Sequence, residues 1–85
     1  MKLTAKQRAI LEVLVKANPD GTFVDLDQLL ERLPYSTTKP SIQHSIRILM
    51  EKGLMERKER EFRREAYRRV LAPTMKAYEI MRPRT

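Results

Sequence analysis

Basic side chains are concentrated in the second half of the sequence. Residues 1–38 contain five Lys or Arg and five Asp or Glu, whereas residues 39–85 contain thirteen basic and six acidic residues. The whole formal net charge of +7 therefore lies in the second half. Basic groups gathered on one part of a small domain favour binding to a polyanion. The alternative interpretation is an ordinary solvated basic surface that aids solubility.

The segment 56–69 carries a dense group of basic side chains. Four glutamates are interleaved with them, so the net charge of the segment is only +3. Guanidinium and ammonium groups at this density are suited to neutralising phosphates, and an arginine at an exposed tip can enter a minor groove. The predicted phosphate-binding residues are Arg57, Lys58, Arg60, Arg63, Arg64, Arg68 and Arg69. Ion pairs with the glutamates are the competing interpretation, and they would weaken phosphate binding.

A second set of polar residues lies along one side of residues 39–52. The apolar residues of this segment recur at the spacing of a helix with one buried side. They are Ile42, Ile46, Leu49 and Met50. The polar residues left for base recognition are Lys39, Ser41, Gln43, His44 and Arg47. Glutamine can pair bidentately with adenine and arginine with guanine, so this side of the helix is suited to reading bases in a major groove.

Hydroxyl groups immediately before this helix have two interpretations. Thr37 and Thr38 can donate hydrogen bonds to phosphates, and the free N–H groups of the first helical turn add an anion site. The same threonines are suited to capping the helix, and for that role no ligand is needed. Both interpretations remain open from the sequence.

Other site chemistry is not indicated. The chain has no cysteine, which excludes disulfides, thiolate metal sites and thiol nucleophiles. His44 is the single histidine, and no spacing indicates a metal-ligand set or a positioned acid–base pair. We therefore expect no enzyme activity, no metal, no cofactor and no small-molecule ligand. The five methionines are expected to fill the core.

The 85 residues correspond to a single domain, residues 1–85. Thr4 and Asp25 are suitable helix N-caps, and Gly53 suits the left-handed residue after a helix. Pro83 is expected to end the ordered chain. The predicted elements are helix 5–17, a short strand 22–24, helix 25–33, helix 39–52, a hairpin 54–72 and helix 74–81.

Residues 54–72 fit two different structures. The spacing of Phe62, Ala66 and Val70 favours a charged helix, and no Gly, Asn or Asp is present where a hairpin would turn. The charged alternation after Gly53 favours a β-hairpin with its tip at residues 62–65. We predict the hairpin because tertiary context commonly overrides local propensity.

The order helix, helix, turn, helix, glycine and basic hairpin resembles the winged helix-turn-helix domain. Residues 25–33 and 36–54 carry the resemblance, and the ending Lys52-Gly53-Leu54 is similar to that of MarR-type transcriptional regulators. Residues 67–74 look like the second wing strand of those regulators. Residues 3–8 are similar to the start of the DNA-binding domain of the LexA repressor. The tip of the hairpin lacks the glycine that this family pattern contains.

The resemblance implies an α+β fold that is mainly α-helical, with a three-helix core, a small antiparallel β-hairpin as the wing and a short C-terminal helix. It implies that helix 39–52 enters the major groove of double-stranded DNA while the wing contacts the backbone. A homodimer is compatible with this function. Met75, Tyr78 and Met81 either supply its interface or pack on helix 5–17.

Two other functions remain open, and each involves a different partner. The same fold can serve as a protein-interaction module of a larger complex. A basic surface can also bind RNA, although the sequence offers few aromatic residues for stacking against unpaired bases. The sequence has neither a membrane-spanning apolar run nor the apolar stretch of a signal peptide, so we expect no membrane contact. The expected location is the cytoplasm, associated with the nucleoid when DNA is bound.

Overall fold

Four short β-strands lie between the third and fourth helices of residues 2–82. The computed structural model describes residues 2–82. Met1, one of the methionines expected in the core, and Pro83, expected to end the ordered chain, therefore lie outside the described residues. Within residues 2–82 the helices are α1 (Ala5–Lys16), α2 (Leu26–Arg32), α3 (Lys39–Glu51) and α4 (Met75–Met81). The strands are β1 (Met55–Arg57), β2 (Glu61–Arg63), β3 (Ala66–Arg68) and β4 (Leu71–Pro73). The protein is therefore a small α+β fold.

Side-chain caps fix where α1 and α2 begin. The Thr4 hydroxyl accepts a hydrogen bond from the Gln7 N–H at 3.1 Å, and the Gln7 side chain accepts from the Thr4 N–H at 3.1 Å. Asp25 and Gln28 form the same reciprocal pair at the start of α2, at 3.0 and 3.1 Å. Each pair satisfies two N–H groups that the helix itself cannot. The predicted caps Thr4 and Asp25 are confirmed.

The predicted strand 22–24 is wrong. Residues 22–24 form no ladder, because within the described residues the contact is a single antiparallel bridge between Asp25 and Val70. The backbone hydrogen bonds beside that bridge run from Leu71 N–H to Val24 at 3.0 Å and from Leu26 N–H to Arg69 at 3.1 Å. This contact ties the start of α2 to the returning half of the hairpin. The predicted helices also ended too late, since Ala17, Leu33 and Lys52 are C-cap residues.

Residues 55–73 form the predicted hairpin and not the charged helix. At its base β1 pairs with β4, with Met55 opposite Pro73, and at its outer end β2 pairs with β3. Between the two ladders, residues 59–60 of the outgoing strand face Arg69 alone, because Lys58 N–H still donates to Val70 and Glu61 already faces Arg68. Two residues opposite one make a β-bulge, which bends and twists the ribbon.

The hairpin turns at Arg64 and Glu65, which have positive φ values of 51° and 64°. A two-residue turn with positive φ at both central positions is type I′, the turn whose twist matches that of the flanking strands. Neither residue is glycine or asparagine, so each adopts a conformation that L-residues normally avoid. The predicted tip 62–65 was too wide, because Phe62 is paired within β2.

The core is built from the buried sides of α1 and α3 together with residues from α2 and the base of the hairpin. Its fully buried members include Ile10, Leu11, Leu14, Leu29, Ile42, Leu49, Leu54 and Leu71. The predicted apolar side of α3 is buried, so its opposite side is left to face away from the core. None of the helices in residues 2–82 is long and apolar enough to cross a membrane.

Helix α4 packs on α1, with Ala77 fully buried in the core and Ile80 and Met81 half-buried against it. Met75 and Tyr78 were grouped with Met81 in the sequence prediction. Both are exposed, with exposed fractions of 75% and 39%. The prediction that the methionines fill the core is therefore wrong for Met75. The reason is helical geometry, because residues two apart lie on nearly opposite sides of a helix, so the burial of Ala77 leaves Met75 on the exposed side.

Candidate nucleic-acid interface

The side of α3 that faces away from the core carries the polar residues predicted to read bases. Ser41, His44 and Arg47 are exposed, whereas Gln43 is half-buried. Within the described residues the side chains of Gln43, His44 and Arg47 form no hydrogen bond or ion pair with the rest of the chain. These three side chains are therefore available to a ligand. We call Ser41, Gln43, His44 and Arg47 the outer face of α3.

The threonines before α3 have separate roles. The Thr38 hydroxyl is the N-cap of α3: it accepts from the Ser41 N–H at 3.3 Å and lies 3.1 Å from the Ser41 hydroxyl. The cap interpretation thus holds for Thr38, and the Ser41 hydroxyl is partly engaged within the protein. Thr37 is half-buried. Pro40 in the first turn adds a fixed backbone angle without losing a hydrogen bond.

Asp27 connects the first turn of α3 to the hairpin. One carboxylate oxygen lies 3.9 Å from the Lys39 ammonium group, and the other accepts a hydrogen bond from the Arg68 guanidinium. The predicted base-reading residue Lys39 is exposed but forms this ion pair. Since Asp27 lies on α2, a single carboxylate contacts both the start of α3 and β3. The hairpin therefore lies beside the N-terminal end of α3.

A second carboxylate, that of Asp25, holds the hairpin tip. Asp25 has no exposed surface, and its Oδ2 atom accepts from Arg64 at 2.8 Å and lies 3.5 Å from Arg63. Burial raises the pKa of Asp25, but the hydrogen bonds from the Gln28 N–H and from Arg64, with the nearby charges of Arg64 and Arg63, outweigh it. The net pKa of Asp25 lies below its ordinary value.

The predicted phosphate-binding arginines thus fall into two groups. Arg63 also donates to the Phe23 carbonyl at 2.8 Å and to Glu61 at 3.1 Å, so its guanidinium group is committed to the protein. Arg64 and Arg68 are committed to Asp25 and Asp27. The pairs with Asp25 and Asp27 could not be found from the sequence, because the partners lie about 40 positions away in the chain. The contact of Arg63 with Glu61 is one of the ion pairs with glutamates that the sequence left open.

The second group is free of internal partners. Arg57, Arg60 and Arg69 form no ion pair or side-chain hydrogen bond within residues 2–82, and Arg57 and Arg60 are exposed while Arg69 is half-buried. Lys58 belongs to neither group. Its ammonium group forms an ion pair with Glu56 at 2.7 Å, but both side chains are about half exposed. We call Arg57, Arg60 and Arg69 the free arginines. These hairpin cations can bind a polyanion without breaking an ion pair or hydrogen bond within the described residues.

Two aromatic side chains on the hairpin were missed as a pair by the sequence analysis. Phe62 and Tyr67 face each other across β2 and β3, with ring centroids 5.3 Å apart and ring planes at 63°. They are 65% and 73% exposed. Their pairing depends on the register of the hairpin, which in turn depends on the position of the turn. Once the turn is fixed at residues 64–65, the pairing follows directly.

Comparison with known proteins adds no assignment. No protein-family model matches the chain, and no curated protein sequence matches it either. The candidate interface is therefore defined by the geometry of α3, the two acidic residues of the α2 start and the hairpin.

Proposed function

We propose that this chain is a winged helix-turn-helix domain that binds double-stranded DNA in a sequence-specific manner, as a small transcriptional regulator. In this proposal α2 and α3 form the helix-turn-helix, α3 enters the major groove, and the hairpin is the wing. The single observation that carries the proposal is the pair of contacts made by Asp27 with Lys39 and Arg68. They support it because they hold a basic hairpin beside the N-terminal end of a helix whose outer side is open.

The dimensions and chemistry of α3 support major-groove binding. An α-helix of 13 residues fits lengthwise into the groove. In helix-turn-helix proteins the residues near the N-terminus of the second helix contact the base edges. Here those residues include Gln43, His44 and Arg47. Arg47 is the best candidate for reading a base, because it is exposed, has no internal partner and can bind guanine with two hydrogen bonds.

Backbone binding is assigned to fewer arginines than the sequence suggested. The free arginines can bind phosphates without breaking an ion pair, whereas Arg63, Arg64 and Arg68 would have to leave a carboxylate first. Moving Arg63 or Arg64 away would weaken the compensation of the buried charge of Asp25, and moving Arg68 away would break its ion pair with Asp27. We therefore assign phosphate contacts to the free arginines. The arginines bound by Asp25 and Asp27 are assigned the role of fixing the hairpin to the start of α2.

The test of DNA binding is a titration of labelled random-sequence duplex at several salt concentrations. The logarithm of the affinity should fall linearly with that of the salt concentration, with a slope of about −3 or steeper if the three free arginines each neutralise a phosphate. A matched control is Lys16→Ala on α1, which removes one exposed positive charge away from α3 and should change the affinity little. Affinity that is absent at low salt, or independent of salt, contradicts the proposal.

Sequence specificity needs its own experiment. Selection of bound duplexes from a random pool should enrich a short shared motif, and a palindromic arrangement of two such motifs about one helical turn apart would indicate a homodimer. An unchanged pool after repeated selection contradicts base reading by α3. Salt-dependent binding could still stand in that case, as a purely backbone-directed interaction.

A further inference from the structure

We propose that Phe62 and Tyr67 form a stacking surface for unpaired nucleobases, so that the protein binds duplex DNA with a single-stranded extension more tightly than blunt duplex. This inference rests on the proposed function and names the form of DNA that it favours. Aromatic side chains in a basic setting are the usual means of binding unpaired bases, because every base offers a flat face for stacking.

The exposure of the two rings is the first argument. Most of each ring is in water, although a large aromatic side chain is stabilised by burial. The two rings contact each other edge to face at 5.3 Å, so both are held in place while remaining open to a ligand. Exposed aromatic side chains placed side by side on one face are characteristic of binding surfaces.

The rigidity of the hairpin beneath them is the second argument. The opposite face of the same two strands carries Arg63 and Arg68, which are anchored to carboxylates near the start of α2. Side chains alternate between the faces of a strand, so the anchored arginines force Phe62 and Tyr67 to the outside. A surface fixed in this way does not have to be ordered when a base binds, which lowers the entropic cost of binding.

The charges nearby favour a nucleic acid over an apolar partner. Arg60 is two residues before Phe62, and Arg69 is two residues after Tyr67. Both belong to the free arginines, so cations without internal partners flank the aromatic pair on both strands. Phosphates on either side of a stacked base can then be neutralised. An apolar protein surface would offer no anionic partner to these arginines.

The experiment compares four ligands by titration: blunt duplex, the same duplex with an oligothymidine extension, the same duplex with an extension of abasic sugar phosphates, and the oligothymidine strand alone. The thymidine extension should raise the affinity of the native protein about tenfold. The abasic extension carries the same phosphates without bases and should raise it much less. The Phe62→Leu, Tyr67→Leu double variant keeps apolar bulk but no ring, and should lose the thymidine gain while keeping its affinity for blunt duplex.

Two further proteins complete the test. Tyr78→Leu removes an exposed tyrosine on α4 and should keep the full gain. Phe62→Trp introduces the only tryptophan of the chain, and its fluorescence should be quenched by the thymidine extension but not by blunt duplex. This second readout is made on the folded protein even if the double variant is unstable.

Each outcome supports or contradicts at least one of the two proposals. Salt-dependent binding of blunt duplex with no gain from the thymidine extension overturns the stacking surface and leaves DNA binding intact. A gain that survives in the double variant, or one that the abasic extension reproduces, also overturns it. If the native protein binds the oligothymidine strand but not blunt duplex, and the double variant loses this binding, the stacking surface is supported and the duplex proposal is contradicted. No binding to any ligand contradicts both.

Discussion

The Arg64 guanidinium lies 2.8 Å from a carboxylate oxygen of Asp25, a residue 39 positions earlier in the chain that has no exposed surface. Asp25 is also the N-cap of α2. One buried charge therefore serves the start of a helix and the tip of a hairpin. A two-stranded hairpin is only marginally stable by itself in water, so this contact supplies support that the strands lack.

Replacing Asp25 by asparagine tests the contribution of this charge. Asparagine still caps α2, so the variant removes mainly the ionic contacts of the carboxylate with Arg64 and Arg63. We expect the free energy of unfolding near pH 7 to fall by about 1–3 kcal/mol, as measured by urea denaturation. The free energy of unfolding should fall further in Asp25→Ala, because that variant also loses the cap of α2.

The same variant should have a different response to acid. The pKa of Asp25 in the folded protein lies below its ordinary value, so its stabilising charge is fully present at and above that ordinary value. It is lost as the pH falls through the lower, folded-state pKa. Native protein should therefore lose stability in this range more steeply than Asp25→Asn. Parallel pH profiles for the two proteins would show that the charge of Asp25 does not stabilise the fold.

Glu65→Gly should stabilise the protein. Glu65 has a φ of 64°, which glycine adopts without strain, and its side chain forms no hydrogen bond or ion pair within the described residues. We expect a gain of about 1 kcal/mol, which corresponds to a rise of about 4–8 °C in Tm for a domain of this size. Glu65→Ala removes the same charge but keeps the Cβ atom, and should show no such gain in thermal denaturation.

Arg64→Ala should lower mainly the stability of the protein, whereas Arg60→Ala should change mainly the salt dependence of DNA binding. Arg64 is half exposed, so its loss should lower the free energy of unfolding by only about 1 kcal/mol, with a small effect on the salt dependence of DNA binding. Arg60→Ala should leave stability unchanged and make the salt slope shallower by about 0.9, the value for one phosphate contact. The two measurements are thermal denaturation and the duplex titration. A reversal of the two effects would mean that the hairpin arginines are assigned wrongly.

Arg47→Ala should reduce sequence discrimination. If Arg47 reads a guanine, its loss weakens the preferred sequence by about 1–3 kcal/mol and relaxes the preference at one base pair. The measurement compares the affinity for the selected sequence with the affinities for single-base variants of it. Equal weakening across all of these sequences would make Arg47 a phosphate contact.

Local signals were enough to predict the helices. Thr4 and Asp25 have side chains that accept hydrogen bonds from the first helical turn, and the spacing of Ile42, Ile46 and Leu49 defines which side of α3 is buried. The outer face of α3 follows from that spacing alone. Each of these features depends on residues within a few positions of one another.

The hairpin was harder to predict because its local signals disagree with its structure. Arg64 and Glu65 are poor residues for a type I′ turn, and what compensates for them is distant in sequence: Asp25 binds the tip and Asp27 binds β3. The division of the arginines into anchored and free groups depends on the same distant carboxylates. No local pattern distinguishes Arg60 from Arg64, since both are arginines in a charged segment.

The β-bulge at residues 59–60 makes the number of residues in the outgoing strand as important as their identity. One additional residue on that side bends the ribbon partway along its length, and the bent outer end meets the carboxylates at the start of α2. A chain shortened by a single residue there would keep the composition of the hairpin but straighten its course. The arginines of the tip would then point past their acidic partners, and the ribbon would extend into solvent as an unsupported arm.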